Sequence, residues 1–345
     1  MIQRTPARIE AQEQNTTPRW QQALARAITD PRELLARLQL PDALLPGAED
    51  GQRLFPIRVP EPFLQRMEAH NPDDPLLRQV LPLQAESQPA AGFVIDPLQE
   101  QSQAHGNGLI RKYRSRALLV LTGACAVNCR YCFRRHFPYN DYRLQPSDWE
   151  PALEVLRQAP EINEVILSGG DPLAMNDRLL ARLVAQLETI PHIRRLRLHT
   201  RLPVVIPQRV DDSLFKWLAA SRLQKIVVLH INHAREIDAS VREAVQRLRD
   251  AGATLLNQSV ILQGVNDSVA ALSELSDALF DAGVLPYYLH AFDPVAGAAH
   301  FAVSDEHART LVRQLHGVLP GYLVPRLVRE IPGEASKSPL DLGMA

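Results

Sequence analysis

The chain has 345 residues, of which 46% are hydrophobic and 22% charged, a composition typical of a globular protein and not of a disordered one. Because 38 basic and 39 acidic residues nearly cancel, the net charge is −1 and no general attraction to nucleic acid or to a membrane surface is expected. No apolar run approaches the roughly 20 residues that cross a bilayer, and the N-terminus lacks the apolar core of a signal peptide. We therefore expect a cytoplasmic protein.

The first region, residues 1–110, is rich in helical patterns and in proline. Asp30, Pro31 and Glu33 supply an N-cap, a proline at the first helical position and an acid at the third, ahead of leucines at helical spacing. This region is predicted to form an accessory helical layer.

From residue 111 to 330 the pattern changes to short apolar runs that alternate with amphipathic stretches. Strands are predicted near residues 117–121, 165–167, 196–199, 226–230, 255–262 and 286–290. After the first interval they recur about every 30 residues, which is the length of a βαβ unit. The predicted fold is α/β, a partial parallel (β/α)6 barrel, followed by a C-terminal segment of residues 331–345.

Each predicted strand but one is followed by a polar or glycine-rich cluster. The clusters are the cysteine loop after residue 121, Ser168–Pro172, His199–Arg201, His230–His233 and His290–Pro294. Active sites of parallel α/β barrels lie on the face where the strands end. Any one cluster is explained by turn chemistry alone, but their succession predicts a site on that face.

All three cysteines of the chain, Cys125, Cys129 and Cys132, lie within one eight-residue stretch. Thiolates at this spacing can converge on one metal centre, and three of them leave a coordination position of an iron–sulfur cluster open. The alternative is a structural zinc site completed by His136.

The cysteine spacing, with Tyr131 before the last cysteine, resembles the signature of the radical S-adenosylmethionine (SAM) superfamily. The resemblance implies a four-iron four-sulfur cluster, SAM on its open iron, and cleavage of SAM to a radical. The stretch Ser168, Gly169, Gly170 and Asp171 resembles the glycine-rich edge that orients SAM in that superfamily.

Across residues 105–340 the chain resembles the lysine 2,3-aminomutases in particular. The matching segments are residues 111–116, 129–136, 168–172, 203–209, 230–233, 257–259 and 264–267, with Asp293. The resemblance implies pyridoxal phosphate (PLP) bound as a Schiff base to Lys337, although the run of glycines usual before that lysine is shortened here. It also implies cofactor contacts from Arg116, Lys112, Tyr113, His230 and Gln258, with Arg116 at the PLP phosphate.

By the same resemblance, Arg134 is expected to hold the α-carboxylate of the substrate. Asp293 and Glu330 occupy the positions of two acids that, by the same resemblance, bind the distal ammonium of the substrate. Because a buried ammonium needs paired carboxylates, these two acids indicate L-lysine as the substrate. Other members often carry aspartate in place of Glu330, so the fit to the substrate differs here by one methylene. The implied reaction converts L-lysine to β-lysine.

The short segment after Lys337, together with residues 129–139, resembles the bacterial members that supply β-lysine for elongation factor P. This implies a functional link to that factor and its lysine ligase, an electron donor of the flavodoxin or ferredoxin type, and no structural zinc; a homodimer is left open. The alternatives are a catabolic lysine or other amino acid aminomutase, a radical SAM enzyme without PLP, and a non-catalytic iron–sulfur sensor. Asp293 and Glu330 argue against glutamate as the substrate.

Overall fold

The computed structural model describes residues 17–101 and 108–343. The helices in these ranges are α1 (Arg19–Ala25), α2 (Pro31–Arg37), α3 (Leu45–Leu54), α4 (Glu61–Leu64), α5 (Pro75–Arg78), α6 (Tyr139–Tyr142), α7 (Trp149–Arg157), α8 (Asp177–Glu188), α9 (Leu202–Val205), α10 (Asp212–Ala220), α11 (Ala239–Asp250), α12 (Val269–Asp281) and α13 (Asp305–Val318). None of these described helices is both long and apolar enough to cross a bilayer.

One sheet contains all the named strands, and their spatial order is the order of the chain. The strands are β1 (Leu109–Tyr113), β2 (Arg116–Thr122), β3 (Glu164–Gly169), β4 (Arg195–Thr200), β5 (Gln224–Leu229), β6 (Ala253–Val260), β7 (Leu285–His290), β8 (Arg326–Arg329) and β9 (Ser338–Pro339). Strands β2 to β8 pair in parallel, while β1 and β9 pair antiparallel at the two edges. Within the described ranges the sheet is open, as in a partial barrel.

The six predicted strands are confirmed as β2 to β7, but the predicted count was too low. A seventh parallel strand, β8, pairs with β7, and the short strands β1 and β9 extend the sheet on either side. Strands β1, β8 and β9 have five, four and two residues, respectively, so their sequences carry too short a pattern to predict a strand.

Helices that follow the strands begin at polar residues whose side chains accept a backbone N–H. The caps are Asn176 for α8, Asp211 for α10, Asp238 for α11, Ser268 for α12 and Ser304 for α13. Such caps accept hydrogen bonds from backbone N–H groups that the first turn of a helix leaves unpaired, so each of these helices begins at a defined residue. Strand β3 is buried along its whole length, which places it in the centre of the fold.

The N-terminal helices share one apolar core with the sheet. Leu34 of α2 and Phe63 of α4 belong to the same buried cluster as Val165 and Leu167 of β3. The predicted start of α2 is confirmed, because the Asp30 side chain accepts the Arg32 N–H at 2.9 Å.

A buried ion pair joins this N-terminal layer to the cysteine loop. Glu86 accepts hydrogen bonds from Arg130 (2.9 and 2.5 Å) and from Arg135 (2.7 Å), and all three side chains are fully buried. The loop of residues 123–138 contains only turns and bends, so this pair supplies an anchor that a helix or strand would otherwise provide.

We predict that Glu86→Ala lowers the free energy of unfolding by about 3 to 5 kcal/mol, because it leaves two buried cations without their carboxylate. Urea unfolding followed by circular dichroism measures the loss. Glu154→Ala is the control, since Glu154 pairs with Arg157 at the exposed surface, where ion pairs contribute little. Equal stability of the two variants would contradict the anchoring role of Glu86.

Candidate active site

A cavity of about 270 Å³ opens at the carboxyl ends of the parallel strands. Every predicted site residue whose side chain is described lines this cavity. These residues are Cys125, Cys129, Cys132, Lys337, Arg116, Tyr113, Ser168, Gly169, Gly170, Asp171, His230, Gln258, Arg134, Asp293 and Glu330. Lys112 lies in β1, but its side chain is outside the described part of the structure. The structure therefore brings the predicted residues together, while their individual roles remain predictions.

The three cysteine side chains are suited to a cation. Burial raises the pKa of Cys132 to about 11 and that of Cys125 well above its usual value, and the neighbouring cysteines add to both shifts. Three thiolates in this environment therefore require positive charge, which iron would supply.

The alternative zinc site is not preformed among the described side chains. The Nε2 atom of His136 lies 3.0 Å from the carbonyl oxygen of Ala296, so this nitrogen is engaged by the backbone. Among the described residues, no three cysteine, histidine or acidic side chains surround a single ion. A cluster does not require that arrangement, because each thiolate binds a different iron.

The glycine-rich edge packs against the backbone that enters the cysteine loop. Gly169 has φ of +123°, and a Cβ atom there would lie 2.5 Å from the Thr122 carbonyl oxygen. A Cβ atom on Gly170 would lie 2.5 Å from the carbonyl oxygen of Ala124. The Gly170 N–H donates to Thr122 at 2.6 Å. Glycine is therefore required at both positions by the protein's own backbone, and a role in orienting SAM remains a prediction.

Asp171 organises the end of the neighbouring strand. Its carboxylate accepts hydrogen bonds from the Thr200 hydroxyl (2.7 Å) and from the backbone N–H groups of Arg201 (2.8 Å), Leu202 (2.9 Å) and Leu173 (3.0 Å). These contacts hold the turn after β4 against the end of β3. The predicted cofactor contact of Asp171 is therefore one that it would make in addition to a structural role.

Arg134 is held by an acid that the sequence did not point to. Its Nε and Nη2 atoms donate to the two carboxylate oxygens of Glu100 at 2.5 and 2.8 Å, and both side chains are nearly buried. Nη1 donates to the Ser168 hydroxyl at 3.1 Å and to the Gly169 carbonyl at 3.2 Å. Burial opposes the charge of Arg134, but Glu100 outweighs it and raises the pKa of the guanidinium. The guanidinium that would receive a substrate carboxylate is thus held as a cation, and most of its N–H groups already have partners in the protein.

Lys337 forms an ion pair with one of the two acids that are predicted to bind the substrate ammonium. Its Nζ atom donates to Glu330 at 2.6 Å and lies 6.0 Å from the centre of the Tyr288 ring. The sequence has four lysines. Among the lysine side chains that the structure describes, that of Lys337 is the one that lines the cavity. Nearby, the guanidinium of Arg116 stacks on the Tyr113 ring at 4.0 Å.

The surroundings of Lys337 fit a phosphate-bearing aromatic cofactor. Arg116 adds positive charge to the cavity wall, which suits a phosphate, while Arg197 lines the wall paired with Glu164. The Nε2 atom of His199 is buried and has no hydrogen-bond partner among the described residues, so an unused polar atom faces this region. These residues could hold PLP, with Lys337 as its attachment point.

Three histidines in the cavity are kept neutral by burial. Desolvation lowers the pKa of His230 to about 3, with a contribution from Arg201, and lowers the pKa of His199 and His290 well below their usual values. His230 is also oriented by Tyr131, whose hydroxyl lies 2.8 Å from Nε2. Neutral imidazoles at these positions offer hydrogen bonds without adding charge.

Several residues of the cavity were not predicted individually. Arg201, His199 and His290 lie in the polar clusters after strands, and the strand-end rule could have selected them. Glu100 and Arg197 had no such signal, because an isolated acid in a loop and a basic residue within a strand are common at protein surfaces.

Comparison with known proteins agrees with this geometry. Residues 119–275 match the family described as the radical SAM superfamily. The chain is 54% identical to L-lysine 2,3-aminomutase of Escherichia coli, over 94% of both chains, and 49% identical to that of Haemophilus influenzae, over 92% of this chain and 94% of the relative. It is 36% identical to that of Clostridium subterminale, over 81% of this chain and 67% of the relative.

Among solved structures, the chain is similar to a radical SAM methyltransferase from Sphaerobacter thermophilus, with 20% identity and a TM-score of 0.44 over 64% of this chain and 68% of that chain. The sequence identity to these L-lysine 2,3-aminomutases, and the length over which it extends, are greater than a shared fold alone requires. The chain belongs to the lysine 2,3-aminomutase family of the radical SAM superfamily.

Proposed function

We propose that this enzyme converts L-lysine to β-lysine with an iron–sulfur cluster, SAM and PLP. The proposal rests on one observation: a single cavity is lined by the three cysteines, by Lys337 and by charged groups of both signs. A guanidinium suits the carboxylate end of an amino acid, and acids suit the ammonium end of lysine.

Each cofactor has residues of the chain to hold it. Cys125, Cys129 and Cys132 would bind three irons and leave the fourth for SAM, while Arg116 would bind the PLP phosphate and Lys337 its aldehyde carbon. When bound, the cluster with SAM would supply the radical that removes hydrogen from the substrate, and PLP would supply the group that carries the migrating nitrogen. The chain itself has to position these groups and exclude water.

The charged side chains orient the substrate between the two cofactors. Arg134 would bind the α-carboxylate through its guanidinium, which Glu100, Ser168 and Gly169 already hold in place. Asp293 and Glu330 would bind the distal ammonium. Glu330 also lies 2.6 Å from the Lys337 Nζ atom, so its carboxylate can accept the proton that this amine must lose before it bonds to carbon.

We further propose that the product serves the modification of a lysine in elongation factor P by a lysine ligase, and that a protein of the flavodoxin or ferredoxin type supplies the electron. The support is the resemblance of residues 129–139 and of the short segment after Lys337 to the bacterial members of that pathway.

The test is to reconstitute the enzyme anaerobically with iron, sulfide and PLP, and to offer SAM, a reductant and isotopically labelled substrate. Free L-lysine is compared with elongation factor P whose lysine is already modified with α-lysine. Conversion of free lysine to β-lysine is expected, with Cys132→Ala as the inactive control. Formation of 5′-deoxyadenosine with neither β-lysine product would contradict the proposal.

We predict that borohydride attaches PLP to Lys337. The chain has four lysines, so peptide mapping after reduction identifies the modified residue without ambiguity. Lys337→Ala should lose the attached PLP and retain the cluster, because the two sites use separate residues. Lys216→Ala is the control and should retain both. PLP on any other lysine would contradict the assignment.

We predict that Asp293→Ala lowers kcat/KM for L-lysine by roughly two to four orders of magnitude, since it leaves a buried ammonium partly uncompensated at a cost of about 3 to 5 kcal/mol. Steady-state product formation measures the loss. Iron content, PLP content and uncoupled SAM cleavage should change little, because none of them requires the ammonium. A comparable loss of PLP would mean that Asp293 supports the fold of the loop after β7.

A further inference from the structure

A buried arginine contacts one of the cluster cysteines. Arg201 follows β4, and its side chain is 7% exposed. Its Nη1 atom lies 2.8 Å from the sulfur of Cys129 and 2.7 Å from the hydroxyl of Tyr131. No other role has been assigned above to this guanidinium.

The remaining contacts hold the guanidinium in that position. Nη2 donates to Gln79 at 2.6 Å and to Glu236 at 2.9 Å. The other oxygen of Glu236 accepts the backbone N–H groups of Asn232 (2.9 Å) and His233 (3.1 Å). The partner of the arginine is therefore itself fixed, and Arg201 cannot turn away from the cysteine without breaking a buried network.

Arg201 also remains charged in this environment. A guanidinium keeps its proton in proteins, and the Glu236 carboxylate lies 2.9 Å from Nη2 as its counter-charge. The Nε atom has no hydrogen-bond partner among the described residues, so the cation retains donor capacity beyond its present contacts.

A second buried arginine shows that this placement is not a general consequence of packing. Arg209 is fully buried, and it donates to the Leu173 carbonyl at 2.6 Å and to Asp177 at 2.8 Å. It also stacks on Trp20 at 4.6 Å. Arg209 is thus paired with two acids, Asp177 at 2.8 Å and Asp211 at 3.9 Å, whereas the contacts of Arg201 include one acid and a cysteine sulfur.

We propose that Arg201 raises the reduction potential of the cluster by placing a fixed positive charge and an N–H donor on the sulfur of Cys129. The inference rests on the proposed cluster. Reduction adds one electron, supplied by the external one-electron donor, and so adds one negative charge to the cluster without proton transfer to Arg201. A cation in contact with a ligand sulfur stabilises that added charge, and net charge and hydrogen bonds to sulfur are known determinants of cluster potential.

The measurement is a mediated redox titration of the anaerobically reconstituted full-length enzyme, followed by electron paramagnetic resonance without SAM or lysine. Arg201→Met removes the charge at similar volume, Arg201→Lys keeps a charge, and Arg209→Met makes the same chemical change away from the cysteines. Iron and sulfide content is measured for each variant, so that potentials are compared only between loaded proteins.

Arg201→Met is expected to lower the equilibrium constant for reduction at least about tenfold, which for one electron is a shift of about 59 mV. Arg201→Lys should change it by less than about threefold, because the charge remains. Arg209→Met should leave the potential of the cluster as in the native enzyme.

An unchanged potential in a fully loaded Arg201→Met variant overturns the inference, as does an equal shift in Arg209→Met. If Arg201→Met binds no iron, Arg201→Gln replaces it, and an unchanged potential there has the same meaning. Loss of iron from both neutral variants but not from Arg201→Lys supports a charge that stabilises the cluster, whereas loss from all three overturns the inference in favour of packing. A native enzyme that binds no cluster would instead contradict the proposed function.

Discussion

Glu86 lies between Arg130 and Arg135, which flank Cys132 in the sequence, within a core from which water is excluded. Removing such charges from water is costly, so the carboxylate and the two guanidinium groups are stable there only together. The loop between them has no helix or strand to define its path. The positions of the cysteines, and with them the geometry of the cavity, therefore depend on an acid contributed by the N-terminal layer.

The positive charges that face the cavity are also paired with acids. Arg134 pairs with Glu100, Lys337 with Glu330, and Arg201 with Glu236. Each cation is thus buried beside an acid before any ligand binds. If substrate binding replaces or shares these partners, it need not carry the full cost of burying an isolated charge.

Strands β2 to β7 could be predicted because, after the first interval, they recur at about the length of a βαβ unit. The shorter strands β1, β8 and β9 could not, since their pairing depends on neighbours already in place and not on a run of apolar residues. The glycines at 169 and 170 were singled out by their resemblance to a glycine-rich edge, whereas the structure shows each of them against a close neighbour. That the neighbour is the backbone of Thr122 and Ala124 follows only from the packing of two strand ends.

The sequence alone determined the class of fold, the cysteine loop and the face on which the site would form, because periodicity and residue spacing are local properties. It could not determine the partners of the buried charges. Glu86, Glu100 and Glu236 are separated from their arginines by 44, 34 and 35 residues, respectively, and acids of this kind usually remain at the surface. Only tertiary packing excludes water from them, and it is the loss of water that makes each acid and arginine depend on the other.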